Sequence, residues 1–220
     1  SLLDPSGRGQ HRIARVWSRL LLWLSGVKVH LEGLENIGSE GRFVFAANHL
    51  SLLDTPLVLA CVPVQFRFFA KQTLFRIPLM ATYLRRSGHL PVTRGDPRTA
   101  VRLLSQGARL VGEQGVSVLL FPEGTRSTSG ELQEFKEGAA YVAIQAGLPV
   151  APIGIAGTRE VLPIGSLRIR PGHVWVRLGQ PIPTQGLEMR DRTALTGRIR
   201  AAVLELRIQP GPAPVSEPSG

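Results

Sequence analysis

The sequence predicts an α/β domain: a mixed, largely parallel central sheet flanked by helices, with an amphipathic helix in front of it. Three observations carry this. Apolar runs of strand length alternate with helical patterns along the chain, the order that builds sheets covered on both faces. Two of those runs, Val116 to Phe121 and Val150 to Ile155, are apolar throughout, as strands buried on both faces are. The chain has 220 residues, 43% of them hydrophobic and 19% charged, enough for one domain with a sizeable core.

The elements follow in order. From Arg8 to Ser25 the apolar residues Ile13, Val16, Trp17, Leu20, Leu21 and Leu24 recur at helical spacing. Arg8, Arg12, Arg15 and Arg19 are interleaved with them. A basic amphipathic helix with Trp on its apolar side fits a membrane interface, and equally an ordinary helix packed on its own domain. After Gly26 the period changes to two: Val27, Val29 and Leu31 alternate with Lys28 and His30, a half-buried strand. Arg42 to Ala47 reads as a strand that runs into Asn48 and His49. Asp54, Thr55 and Pro56 are residue types that open helices, so a helix is expected from about Asp54 to Cys61.

Gln65 to Ala70 is a third strand. Thr73 to Arg86 is helical with an interruption near Pro78, and Leu90 to Thr93 is a short strand ending at Arg94 and Gly95. Asp96 and Pro97 open a helix to about Glu113. Val116 to Phe121 and Val150 to Ile155 are the two buried strands, separated by a helix over Glu137 to Gln145 that stops at Gly147. Val174, Val176 and Leu178 mark an alternating strand, and Asp191 to Arg207 is a last helix with Leu195, Ile199, Val203 and Leu206 on one side. Gln209 to Gly220 is rich in Pro, Gly and Ser and is expected to be disordered. The organisation is therefore a docking helix at 1–26, a domain at 27–208 and a tail at 209–220.

Composition narrows the function. The net charge of +10, carried almost wholly by Arg, suits polyanionic partners: nucleic acid, anionic lipid headgroups or phosphorylated substrates. Arginine holds phosphate bidentately. A GC-rich coding bias also raises Arg over Lys, without accounting for the net charge. Cys61 is the only cysteine, so no internal disulfide forms, which fits a reducing compartment. No apolar run reaches the ~18 residues that span a bilayer. The chain begins at Ser1 with no signal-peptide pattern, and the missing initiator Met suggests a chain that starts late. His11, His30, His89 and His173 show no metal-ligand spacing, and no metal is expected. No helix-turn-helix, zinc-ligand or aromatic-basic RNA motif appears.

The chemistry-bearing residues follow strands. His49 and Asp54 lie five apart in Asn48-His49-Leu50-Ser51-Leu52-Leu53-Asp54. A base near neutral pH, oriented by an anion, can take a proton from an alcohol. Alone, the pair also fits a packed histidine beside a helix-capping aspartate. Along one helix the two would stand about 140° apart. With His49 in the loop and Asp54 at the helix start, the loop can fold the imidazole onto the carboxylate. Lys71, Arg94-Gly95 and Phe121-Pro122-Glu123-Gly124-Thr125-Arg126 also follow strands, and ligands of open α/β sheets bind there.

These strings in this order resemble the glycerolipid acyltransferases, specifically the 1-acyl-glycerol-3-phosphate acyltransferases. Asn48-His49-x4-Asp54 is similar to the family's first motif. Lys71-Gln72-x-Leu74-Phe75-x-x-Pro78, with Gly88 and Arg94-Gly95 after it, is similar to the second, although Gln72 stands where an acidic or small residue is more usual. Phe121 to Ser127 matches the third, and Leu148-Pro149-Val150-x-Pro152 resembles the fourth. Phe135-Lys136-x-Gly138 also falls where the family has such a stretch. The resemblance covers about residues 27 to 180.

The resemblance implies transfer of a fatty acyl group from acyl-CoA or acyl carrier protein to the sn-2 hydroxyl of lysophosphatidic acid, giving phosphatidic acid, with no cofactor. It implies His49 as general base and Asp54 as its partner in direct attack on the thioester. Arg94 and Arg126 would hold the acceptor phosphate with Lys71, Gly124 and Thr125, while Glu123 would orient Arg126 or a substrate hydroxyl. No Gly-x-Ser-x-Gly elbow is present, so nothing requires an acyl-enzyme. A lysolipid acceptor implies peripheral attachment to the cytoplasmic face of a membrane, expected to be a bacterial inner membrane. Lyso-ornithine lipid, another lysophospholipid or glycerol 3-phosphate are alternative acceptors. A basic membrane- or nucleic-acid-binding module without catalysis, and a thioesterase or phosphatase, are the readings of a different class.

Overall fold

A computed structural model describes residues 7–38, 41–92 and 97–207 of the chain. The helices are α1 (Arg8–Leu24), α2 (Asp54–Cys61), α3 (Pro78–Arg86), α4 (Pro97–Gln114), α5 (Gly138–Ala146), α6 (Thr158–Val161) and α7 (Arg192–Leu206). The strands are β1 (Val27–Glu32), β2 (Val44–Ala47), β3 (Phe66–Lys71), β4 (Leu90–Val92), β5 (Ser117–Leu120), β6 (Val150–Ala156) and β7 (Gly172–Leu178). Short 3₁₀ turns at Leu34–Asn36, Gln72–Arg76 and Met189–Asp191 complete the described elements.

One seven-stranded sheet runs in the order β1-β7-β6-β2-β5-β3-β4. Its pairs are parallel, except that β6 and β7 run antiparallel. The expected mixed, largely parallel sheet is therefore observed. The central strands are buried on both faces, and their side chains alternate between two cores. Phe45 and Ala47 of β2 enter the layer under α1 and α2, while Val44 and Ala46 enter the layer under α4, α5 and α7. Leu119 against Val118 and Leu120 repeats this in β5. That double burial explains why these strands read as continuous apolar runs.

The expected elements recur with small shifts. β2 starts at Val44, two residues after Arg42, and β7 starts at Gly172. The segment broken near Pro78 is a 3₁₀ turn followed by α3, with Pro78 in its first turn, where a missing N–H costs nothing. α5 ends at Gly147 in the left-handed conformation. The sequence reading passed over α6, a single turn after β6. Gly157 opens it with φ +82°, and a Cβ there would collide with the His173 carbonyl. The tail from 209 onward lies outside the described residues.

α1 docks by its small and polar face, one of the two arrangements its sequence left open. His11, Ala14, Ser18 and Leu22 are buried, while Ile13, Val16, Trp17, Trp23 and Leu24 are each about 60–70% exposed. Two of its arginines do not lie free on the polar side. Arg15 Nη1 donates to Pro63 O at 3.1 Å and Arg19 Nε to Ala60 O at 3.0 Å, at the carbonyl-rich end of α2. The apolar stripe therefore faces away from the domain.

Candidate functional site

The site lies beyond the carboxyl ends of β2, β5 and β6, the middle of the sheet. Asn48 fastens the end of β2 to β6: its amide donates to Ile155 O at 2.9 Å and accepts from Ile155 N at 2.7 Å. The chain then turns at His49 and enters α2 at Asp54.

Asp54 does not cap α2; Leu53 holds the N-cap position with no side-chain bond. Its fully buried carboxylate reaches backwards instead. Asp54 Oδ2 accepts from Leu50 N at 2.6 Å and Ser51 N at 2.8 Å, and stands 2.7 Å from His49 Nδ1. The other oxygen, Oδ1, accepts the Thr158 hydroxyl at 2.6 Å. Thr158 is fully buried as well. Burying a carboxylate is costly unless its oxygens are hydrogen-bonded, as both are here. The four groups fix its orientation and hence that of the imidazole. With Nδ1 facing the carboxylate, Nε2 is the ring nitrogen left for other chemistry. The ring lies flat on Phe121, with centroids 4.1 Å apart and planes 18° from parallel.

Glu123 takes a different place from the one expected. Its carboxylate is 4% exposed; Oε1 accepts from His49 N at 2.6 Å and Oε2 from Gln133 N at 3.0 Å. Both oxygens are taken by backbone N–H groups and none by Arg126. The same strand-to-loop segment also grips the His49 carbonyl, through Ser127 N at 2.8 Å. The backbone on both sides of the imidazole is thus held by the segment after β5.

Gly124 has φ +72°, and a Cβ there would stand 3.0 Å from Lys136 Nζ. The Lys136 side chain therefore lies close over the turn, whose positive φ favours glycine. Thr125 and Lys71 are exposed, and Arg126 is half-buried with no ion-pair partner among the described residues. Lys71 ends β3, the neighbour of β5, so it stands on the same flank as the 123–126 turn. Arg94 lies outside the described residues. Among the described residues no cluster of His, Cys, Asp or Glu could hold a metal ion.

Cys61 is buried at the far end of α2, and burial pushes its thiol up to about 11, offset in part by Arg19 and Arg15. A protonated, buried thiol is a poor nucleophile. The other histidines lie outside the site. His30 and His173 pair at 2.8 Å against Trp175 on the exposed sheet face. His11 and His89 are buried, and burial first, then neighbouring arginines, hold both below the usual histidine range.

Thr158 is the residue the sequence reading missed. The signal was present: a Gly-Thr pair directly after a buried strand is where a ligand-side residue belongs. Nothing local tied it to a carboxylate 104 positions earlier.

A family model described as Acyltransferase matches residues 28–156. The chain is 38% identical over 184 residues to a chloroplastic 1-acyl-sn-glycerol-3-phosphate acyltransferase of Arabidopsis thaliana, covering 82% of this chain and 51% of that one. It is 34% identical to a 1-acyl-sn-glycerol-3-phosphate acyltransferase of Cocos nucifera, over 79% of this chain and 56% of that one. The chain thus spans about half the length of these curated relatives. The crystal structure of the 1-acyl-sn-glycerophosphate (LPA) acyltransferase PlsC from Thermotoga maritima superposes with a TM-score of 0.69 at 30% identity, covering 90% of this chain and 81% of that one. The matched span contains His49, Asp54 and Glu123, and on these grounds the chain belongs to the acyltransferase family.

Proposed function

We propose that the chain transfers a fatty acyl group from a thioester, acyl-CoA or acyl carrier protein, to the sn-2 hydroxyl of 1-acyl-glycerol-3-phosphate. The product is phosphatidic acid. The observation that carries the reading is the His49–Asp54 pair: a carboxylate with four donors, fully buried, facing the imidazole in the turn after the central strand. It is supported by the names of the relatives and of the solved structure.

In this mechanism Nε2 of His49 takes the proton of the acceptor hydroxyl as its oxygen attacks the thioester carbonyl. Asp54 holds the tautomer and stabilises the imidazolium. The C–O bond forms and the C–S bond breaks on collapse, and His49 returns the proton to the departing thiolate. A positioned base contributes typically ~10²–10⁴-fold. Phe121 and the backbone grip of Glu123 and Ser127 keep the ring in place, which supplies positioning. Arg126, Lys71 and Arg94 bind the acceptor phosphate, with Gly124 and Thr125 giving it close access to the backbone, while Glu123 serves His49.

A lysolipid resides in a bilayer, so the cleft works at an interface. No described helix is long and apolar enough to cross a membrane. The stripe of Ile13, Val16, Trp17, Leu20, Trp23 and Leu24 supports a peripheral mode, with α1 lying in the headgroup layer. Attachment at the cytoplasmic face of a bacterial inner membrane agrees with this.

The test is thiol release from acyl-CoA by purified protein, with mass-spectrometric detection of the lipid product. Release should depend on added lysophosphatidic acid and yield phosphatidic acid. His49→Ala should lower it by about 10³ or more with the fold intact. Release without an acceptor would instead make the chain a thioesterase.

A further inference from the structure

The order of the strands divides the site into two flanks. β2, whose end leads into the turn carrying His49, has β5 on one side and β6 on the other. Lys71 and the Gly124–Arg126 turn follow β3 and β5, on the flank proposed for the acceptor phosphate. On the β6 flank is a cleft of about 450 Å³, within the size range of ligand clefts. Its apolar wall is Leu50, Ile155, Ala156 and Leu204, and Arg159, Glu160 and Arg207 are its charged lining. Leu50 is the residue after His49, and its N–H holds Asp54, so the cleft abuts the dyad segment.

Its two arginines converge on one point. Arg207 Nη2 donates to Gly130 O at 2.6 Å, and a Cβ at Gly130 would stand 2.5 Å from Arg159 Nη1. Gly130 belongs to the turn that Ser127 ties to His49, since Gly130 N donates to Ser127 Oγ at 3.1 Å. Arg159 is half-buried and has no carboxylate partner among the described residues. Two guanidinium groups on the mouth of a partly apolar cleft suit a phosphate attached to an uncharged chain. Glu160 on the same lining can accept an amide N–H from such a chain.

We propose that this cleft receives the phosphate-bearing arm of the acyl donor, a phosphopantetheine thioester. This rests on the acyl-transfer reading above. Direct attack requires both substrates at once, and both are anionic. Two separate cationic flanks let each be held by its phosphate, with the hydroxyl and the thioester carbonyl meeting at His49 between them.

The test uses the full chain with lysophosphatidic acid as acceptor and three donors: palmitoyl-CoA, palmitoyl-pantetheine, which lacks phosphate, and palmitoyl acyl carrier protein. Among the described residues Arg159 makes no hydrogen bond or ion pair that holds the fold, so Arg159→Ala should melt at the wild-type temperature; Arg207 is left alone because it fastens Gly130. Loss of one arginine–phosphate contact should lower kcat/KM for palmitoyl-CoA by about ten-fold or more, through KM. The preference for palmitoyl-CoA over palmitoyl-pantetheine should shrink by the same factor, with acceptor KM within two-fold of wild type. Arg159→Glu should enlarge the effect. A matching loss with the carrier protein assigns the contact to the pantetheine phosphate; a loss with palmitoyl-CoA alone assigns it to the nucleotide phosphates of the same donor. An unchanged preference, a rise in acceptor KM instead, or a loss confined to the carrier protein overturns the proposal. If wild type releases no thiol in response to lysophosphatidic acid with any donor, the underlying function fails, whatever Arg159 does.

Discussion

Replacing Thr158 by valine removes one hydroxyl and almost no volume. The hydroxyl donates to Asp54 Oδ1 at 2.6 Å, with both residues fully buried. A hydrogen bond to a charged group contributes about 1.5–3 kcal/mol, and no water can replace this donor in a closed site. Asp54 keeps Leu50 N, Ser51 N and His49, so the dyad loosens without coming apart. If the full contribution bears on the transition state, kcat falls roughly 10- to 150-fold. Thr158 is fully buried and acts through Asp54, so both KM values should stay within two-fold. Thr158→Ser restores the donor and should recover most of kcat. The melting temperature should drop by about 3–12 °C, from the same bond and the size of the domain. The assay is steady-state thiol release over both substrates, beside a thermal melt. A folded Thr158→Val enzyme with wild-type kcat would refute the reasoning, as would a serine variant as slow as the valine one.

Arg126→Ala should raise the KM for lysophosphatidic acid by about ten-fold or more and leave the acyl-donor KM within two-fold; equal rises in both would argue against a phosphate clamp. The stability of the domain should fall in acid through His11. Its folded value is lowered to about 4, by burial first and then by Arg15 and Arg67, from an ordinary 6.5. Below 6.5 the unfolded chain therefore binds the proton first, and stability is lost progressively down to about pH 4, by at most roughly 3 kcal/mol. His89 acts in the same direction. Melts from pH 7 to pH 4 should show a shallower decline for His11→Phe, and an identical decline would remove His11 as the cause. Trp17→Glu with Trp23→Glu should abolish cosedimentation with anionic vesicles while leaving turnover of a detergent-dispersed acceptor within two-fold; retained vesicle binding would reject α1 as the docking element.

The sequence by itself determined the class of the fold and singled out a candidate site. Apolar runs of strand length, glycine stops and proline starts are local consequences of burial and backbone geometry. They located the strands and longer helices to within a few residues. They also put His49, Lys71 and Glu123–Arg126 at strand ends, and local spacing was enough to expect His49 to fold onto Asp54 across a loop-to-helix junction. Only the tertiary structure decided what holds that pair. Thr158 meets Asp54, and Glu123 meets the His49 backbone, across 104 and 74 residues. Such contacts depend on β2 lying between β5 and β6, and a sequence pattern carries periodicity but no strand order. The face of α1 was undecided for a related reason. Its apolar stripe was plain, yet whether it turns inward depended on the grip of Arg15 and Arg19 on the end of α2, a contact between elements some 40 residues apart.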